Sequence, residues 1–126
     1  MSDLISQNLS MTFNTPSGGE VHALKDITFN LKEGEIMAVL GPSGCGKTTL
    51  LNIVSGFLRP TGGTIKFGNN EINGPGVERG MIFQQGALFE WLTVARNVDF
   101  GLRMKNTSEK KAHQKVEEWL DIVGLQ

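Results

Sequence analysis

One cysteine, Cys45, occurs in the whole chain, so no internal disulfide can form. With only two histidines, His22 and His113, a zinc site could not be assembled without several carboxylates. A chain that does without disulfides fits a reducing compartment. An excess of either charge is lacking too: Lys and Arg number 12 against 13 Asp and Glu, for a net charge of −1. That balance leaves no basic footprint for nucleic acid or for an anionic lipid surface. The longest purely apolar run, Ile36 to Leu40, is far short of the roughly 20 residues that cross a bilayer. Met1-Ser2-Asp3-Leu4 also lacks the basic-then-apolar profile of a secretory leader. The expectation is a soluble chain, of one domain at most in 126 residues, whose relation to any membrane is indirect.

Glycine is what the chain has in plenty. It supplies 16 of the 126 residues, nearly twice the average share of about 7%. Residues of that kind are used for backbone geometry, and their placement punctuates the chain. Apolar residues alternate with Ser10 and Thr12 from Leu9 to Phe13, and with Thr28 and Asn30 from Ile27 to Leu31, the period of half-buried strands. The continuous run Ile36–Leu40 predicts a strand buried on both faces in a parallel sheet. Leu50, Leu51, Ile53, Val54, Phe57 and Leu58 then recur at helical spacing, with Gly56 and Pro60 as the stop. Short strands are expected at Gly62–Phe67 and Gly80–Gln84. Thr93 could cap a helix carrying Val94, Val98 and Leu102. A longer helix after Ser108 would turn Ala112, Val116, Leu120 and Val123 inward, with Trp119 and Ile122 widening the stripe and Gly124 ending it. Together these predict an α/β core with an antiparallel portion.

The chemistry lies between the apolar run and the first helix. Gly41-Pro42-Ser43-Gly44-Cys45-Gly46-Lys47-Thr48 fits the phosphate-loop pattern G-x-x-x-x-G-K-[ST], and this composition would produce a chance match in about 1 to 2% of such chains. A polyphosphate needs several converging donors. The amides of Gly44 through Thr48 can all point inward only where small residues let the chain wrap. The helix starting near Lys47 adds unpaired N–H groups and a partial positive charge. Lys47 brings a full charge to the β- and γ-phosphates, and Thr48 offers a hydroxyl to Mg²⁺, a hard ion that prefers oxygen. Cys45 occupies a variable position of the pattern, and the two histidines read as surface residues.

The string Gly41 to Thr49 followed by Leu50-Leu51-Asn52, together with Met81-Ile-Phe-Gln-Gln85 and Leu88-Phe-Glu-Trp-Leu-Thr-Val94, resembles the ATP-binding subunit of an ABC transporter. The resemblance runs through nearly the whole chain and implies a P-loop NTPase fold of the ABC ATPase type. Residues 1–91 would form the β portion and phosphate-loop core, and 92–126 the start of a helical subdomain. It implies that Gly41, Pro42, Ser43, Gly44, Cys45, Gly46, Lys47, Thr48 and Thr49 cradle ATP. It also implies that Lys47 and Gln84 act in catalysis, that Thr48 and Gln84 meet Mg²⁺, and that Phe13 stacks on adenine where the family commonly has tyrosine. Alone, Phe13 reads as a core aromatic and Gln84 as a strand-end polar residue; their position relative to the phosphate loop raises both. The implied partners are a membrane-spanning permease subunit, met through Phe89, Trp91 and Leu92, and a second ATP-binding subunit, at the cytoplasmic face of the membrane. Glu90 stands where many relatives have proline. Gly74-Pro-Gly-Val-Glu-Arg-Gly80 and Asn97-Val-Asp-Phe-Gly-Leu102 resemble importers of taurine, other sulfonates and nitrate.

The family's Asp-Glu at a strand end, its LSGGQ-like signature and its later histidine do not occur here; Asp99 and Asp121 fall in expected helices and neither is followed by Glu. The chain therefore reads as the N-terminal half of such a domain, truncated before those segments, binding ATP with negligible turnover. Two other readings stay open. Guanylate kinases share the Gly-Pro-Ser-Gly-x-Gly-Lys string, although there the loop lies near the N-terminus and arginines follow it. A non-catalytic interaction fragment with a vestigial loop is the other.

Overall fold

A computed structural model describes residues 2–125. Its elements run β1 (Leu4–Asn14), β2 (Glu20–Leu31), α1 (Lys47–Val54), β3 (Gly62–Phe67), β4 (Asn70–Glu71), α2 (Val94–Met104) and α3 (Glu109–Ile122). The contacts divide the chain into two units, Met1–Met81 and Ile82–Gln126.

In the first unit the strands form one antiparallel sheet in the order β2-β1-β3-β4. The two long strands are longer than their alternating patterns predicted, because their register shifts along the way. Asn8 and Asp26 take left-handed φ values of 50° and 51° where the β1–β2 register shifts. Inward positions thus pass from Leu4 and Ser6 to Leu9 and Met11 on β1, and from Leu24 to Ile27 and Phe29 on β2. Such bulges disturb the ladder, and here hydroxyls take up the freed amides. The Asn8 N–H donates to Thr28 Oγ1 at 2.9 Å and the Asp26 N–H to Ser10 Oγ at 3.1 Å. Opposite the bulge, Gly63 has φ +73°, and a Cβ there would lie 2.3 Å from the Asn8 carbonyl oxygen. Ser6, wholly buried, donates its hydroxyl to the Ile27 carbonyl at 2.8 Å, so its burial leaves no orphaned group.

Helix α1 lies on one face of this sheet. Its Leu50 and Ile53 join Leu9, Met11, Leu24, Ile65 and Ile72 in the core, with Leu58 and Phe67 at its margin. Ile53 is completely buried, which makes α1 the layer that closes the sheet face.

The runs at Ile36–Leu40 and Gly80–Gln84 differ from expectation: neither forms a strand. Ile36 is 98% exposed and Ile82 equally so. A strand buried on both faces needs a hydrogen-bonded neighbour and a layer on each side, and among the described residues none pairs with either run. Sequence pattern marked their apolarity, whereas strand formation depends on partners.

In the second unit α2 and α3 pack through Leu102, Ala112 and Val116, flanked by Val98 and Leu120. Thr93 caps α2 as expected, its hydroxyl accepting the Arg96 N–H at 3.3 Å. Asp99 is buried and ion-paired with Arg103 and, at 3.8 Å, with Arg96. Val94, Trp119, Ile122 and Val123 are exposed rather than inward. Among the described residues each helix has a single helical neighbour in this unit, so only the inner part of its apolar stripe is covered.

Candidate functional site

The phosphate loop occupies residues 41–46, between the unpaired apolar run and α1. Gly44 and Gly46 take φ values of +79° and +96°, in the left-handed region that an L side chain resists. At Gly46 the constraint is also steric, because a Cβ would lie 2.4 Å from the Ala23 carbonyl oxygen and 2.9 Å from Leu24 Cδ2. The loop thus leans on β2 at one point and stays open at Gly44, where a Cβ would meet nothing within 4 Å.

Gly46 is the N-cap of α1, and its carbonyl accepts the Leu50 N–H at 2.9 Å. No side chain caps that end and the first turn holds no acidic residue. A helix start of this kind presents amide donors and a partial positive charge that an anion satisfies. Lys47 is half-buried and curls back over its own loop: Nζ donates to the carbonyls of Gly41 at 2.7 Å and Pro42 at 2.6 Å, and lies 3.6 Å from Cys45 Sγ. The ammonium is therefore stationed at the mouth of the loop, held by groups that an anion could replace. Cys45 and Thr48 are exposed and Thr49 is half-buried. A cavity of about 340 Å³ adjoins the loop, lined by Leu24, Ile27 and Phe29 of β2, by Met37 to Leu40, and by Cys45, Gly46, Lys47 and Leu50.

Gly41 through Thr49 are thus brought together by one turn and one helix start. Phe13 belongs to the same unit, near the end of β1 opposite Val21, with 38% of it exposed. Beside it Thr12 Oγ1 and His22 Nδ1 share a 2.9 Å hydrogen bond. Gln84 belongs to the second unit, exposed in the stretch that precedes α2. Among the described residues no group of three or more His, Cys, Asp or Glu side chains is placed to hold a metal ion. Within the loop itself, Thr48 is the residue whose hydroxyl could serve a magnesium ion alongside oxygens of a nucleotide.

Of the aromatic residues before α2, Trp91 is 80% exposed. Phe89 turns inward, 4.6 Å from the Phe100 ring and 5.4 Å from that of Trp91, and Leu92 is half-buried. Asn97, which sequence reasoning did not single out, ties this stretch to α2 through its side-chain amide. Asparagine is a poor helix former that favours side-chain bonds to nearby backbone, so its presence in the second turn of a helix was the available signal.

Residues 24–126 match the sequence profile of the ABC transporter family. Taurine import ATP-binding protein TauB of Pelagibacter ubique (strain HTCC1062) is 74% identical over 126 residues, all of this chain and 48% of that protein. Nitrate import ATP-binding protein NrtD of Synechocystis sp. (strain ATCC 27184 / PCC 6803 / Kazusa) is 44% identical over 107 residues, 85% of this chain and 40% of its own. The chain spans about half the length of the curated relatives it matches. Among solved structures, the ATP-binding cassette MJ0796 in a dimeric post-hydrolysis state with ADP and Pi superposes with a TM-score of 0.81 at 30% identity, over 98% of this chain and 58% of that one. Glycine-bent loop, uncapped helix start, matching profile and shared fold agree: the chain belongs to the ABC transporter family.

Proposed function

We propose that this chain carries the nucleotide-binding part of an ABC import ATPase and takes up Mg·ATP at residues 41–49. The observation that supports this most is the loop itself, with Gly44 and Gly46 already left-handed, an uncapped α1, and Lys47 poised over two loop carbonyls. The donor set suits a triphosphate tail: backbone amides from Gly44 to Thr48 wrap the β-phosphate, Lys47 exchanges its loop carbonyls for phosphate oxygens, and the Thr48 hydroxyl serves Mg²⁺. Bound magnesium would neutralise charge on the phosphates. In this reading Gln84 reaches the metal and the attacking water, and Phe13 lies against adenine. Residues 1–91 form the nucleotide-binding portion and 92–126 begin the helical one.

No Asp-Glu pair occurs in the sequence, so these residues are assigned binding, with the general base for hydrolysis supplied from elsewhere in the intact subunit. Relatives named for taurine and nitrate import favour a small oxyanion as the solute. The described residues include no helix long and apolar enough to cross a membrane. We assign passage of the solute to a membrane-spanning partner, which this chain would meet at the cytoplasmic face through Trp91 and its neighbours. A second ATP-binding subunit completes the assembly. Equilibrium titration with Mg·ATP tests the reading. Lys47→Ala removes a charge-assisted contact of about 1.5–3 kcal/mol and should weaken affinity about 10- to 150-fold. Unchanged affinity would refute the site.

A further inference from the structure

Residues 73–81, the loop after β4, are fastened to the end of α1 and the residues that follow it. The helix closes with Ser55 as its C-cap and a left-handed Gly56 at φ +81°. A Cβ on Gly56 would run into the Gly74 carbonyl and lie 2.7 Å from Pro75 N, so the loop backbone rests directly on the helix end. The Ser55 hydroxyl donates to Met81 Sδ at 3.1 Å, and Arg59 Nη2 donates to the Asn73 carbonyl at 3.2 Å. Arg79 closes the loop on itself: its Nη2 donates to the Gly74 carbonyl at 2.6 Å and its Nη1 to the Glu78 carboxylate. The Arg79 side chain is only 12% exposed, and it borders a cavity of about 300 Å³ lined also by Leu4, Leu31, Val54 and Phe67. Among the described residues its Nε is buried with no hydrogen-bond partner. A charge buried in apolar company with one donor unpaired costs stability, and an apolar side chain would fill the space at less cost. What the guanidinium adds is shape, a planar fork that fixes the loop at both Gly74 and Glu78.

We infer that Arg79 is a positioning residue for Gln84, which locks residues 73–81 onto the end of α1 so that the helix that starts at the phosphate loop also fixes where the chain sets out toward Gln84. This rests on the nucleotide-site reading above. Met81, held by Ser55, stands three residues before Gln84. Closely packed elements shift as units rather than deform, so a displacement of α1 when the phosphate loop fills is carried to Gly74 and Met81. Arg79 touches neither nucleotide nor metal in this scheme; it acts through the loop.

The test uses the full-length subunit assembled in its importer. Arg79→Met, which keeps the bulk and loses the donors, should lower kcat about 10- to 100-fold, the scale of a misplaced reacting group, and leave Mg·ATP affinity within about twofold. Arg79→Lys, which keeps the charge without the fork, should fall between. Ser55→Ala frees Met81 without disturbing the buried charge and should lower kcat about fivefold, with affinity again kept. Hydrogen exchange in Arg79→Met should quicken about tenfold or more at residues 80–84 and stay unchanged at 44–49, a split that general loosening of the fold does not give. Gln84→Ala should lower kcat at least as far as Arg79→Met, and combining the two should cost no more than about a further twofold. Unchanged kcat in Arg79→Met or, should that variant not fold, in Ser55→Ala overturns the inference alone. Equal loosening of both segments, or additive losses in the double variant, does the same. An unmutated subunit that binds no Mg·ATP, or a Gln84→Ala subunit with full kcat, overturns the site reading and the inference with it.

Discussion

Replacing Gly46 by alanine separates the two constraints that shape the phosphate loop, and Gly44→Ala is its internal control. Both glycines are left-handed, at +96° and +79°, so each alanine incurs the backbone penalty of about 1–2 kcal/mol for an L residue in that region. Only at Gly46 does the new methyl also collide, at 2.4 Å from the Ala23 carbonyl oxygen and 2.9 Å from Leu24 Cδ2. The first neighbour is backbone in the middle of β2 and the second is core, so neither yields freely. Overpacking of that kind costs about 1–3 kcal/mol. Gly46→Ala should therefore lose about 2–5 kcal/mol and Gly44→Ala about 1–2 kcal/mol. Urea unfolding of both variants, read by circular dichroism at several wavelengths, measures the difference. Mg·ATP affinity should also fall further for Gly46→Ala, because displacing the N-cap tilts the start of α1. Equal destabilisation by the two substitutions would refute the packing of the loop against β2.

Three smaller perturbations test other parts of the fold. Ile53→Ala empties a fully buried site under the sheet and should cost about 2–5 kcal/mol in the same assay. Ile82→Ala in this chain should change stability by less than about 0.5 kcal/mol, since that side chain is 98% exposed; a large loss would mean that the run is paired after all. Thr93→Ala removes the cap of α2 and should lower stability of that helix by about 1 kcal/mol, seen as faster hydrogen exchange at the Arg96 amide.

Legibility from sequence followed how local each cause is. The phosphate loop could be read directly because its glycines answer to backbone angles and its lysine to charge, both properties of neighbouring residues. Thr93 before α2 and the strand Gly62–Phe67 were legible for the same reason. Bulges at Asn8 and Asp26 were not, since a change of phase in the middle of a strand looks like a broken alternation, and β1 and β2 read shorter than they are. Ile36–Leu40 and Gly80–Gln84 show the opposite failure. Their composition suits a central strand, yet a strand forms only when a ladder partner is present, and that is not a property of the run. The outward-facing Trp119 and Val123 have the same origin: helical spacing reports which residues could share a face, and the neighbouring element decides how much of it is covered.

Amide chemical shifts of Gly44 through Thr48, followed while Mg·ATP is added, address most directly whether main-chain donors of the loop grip the phosphates. The account predicts that these signals move farthest and saturate together, with the Lys47 side-chain signals shifting in step as Nζ leaves the Gly41 and Pro42 carbonyls. Binding that shifts other amides while those five stay in place would contradict it.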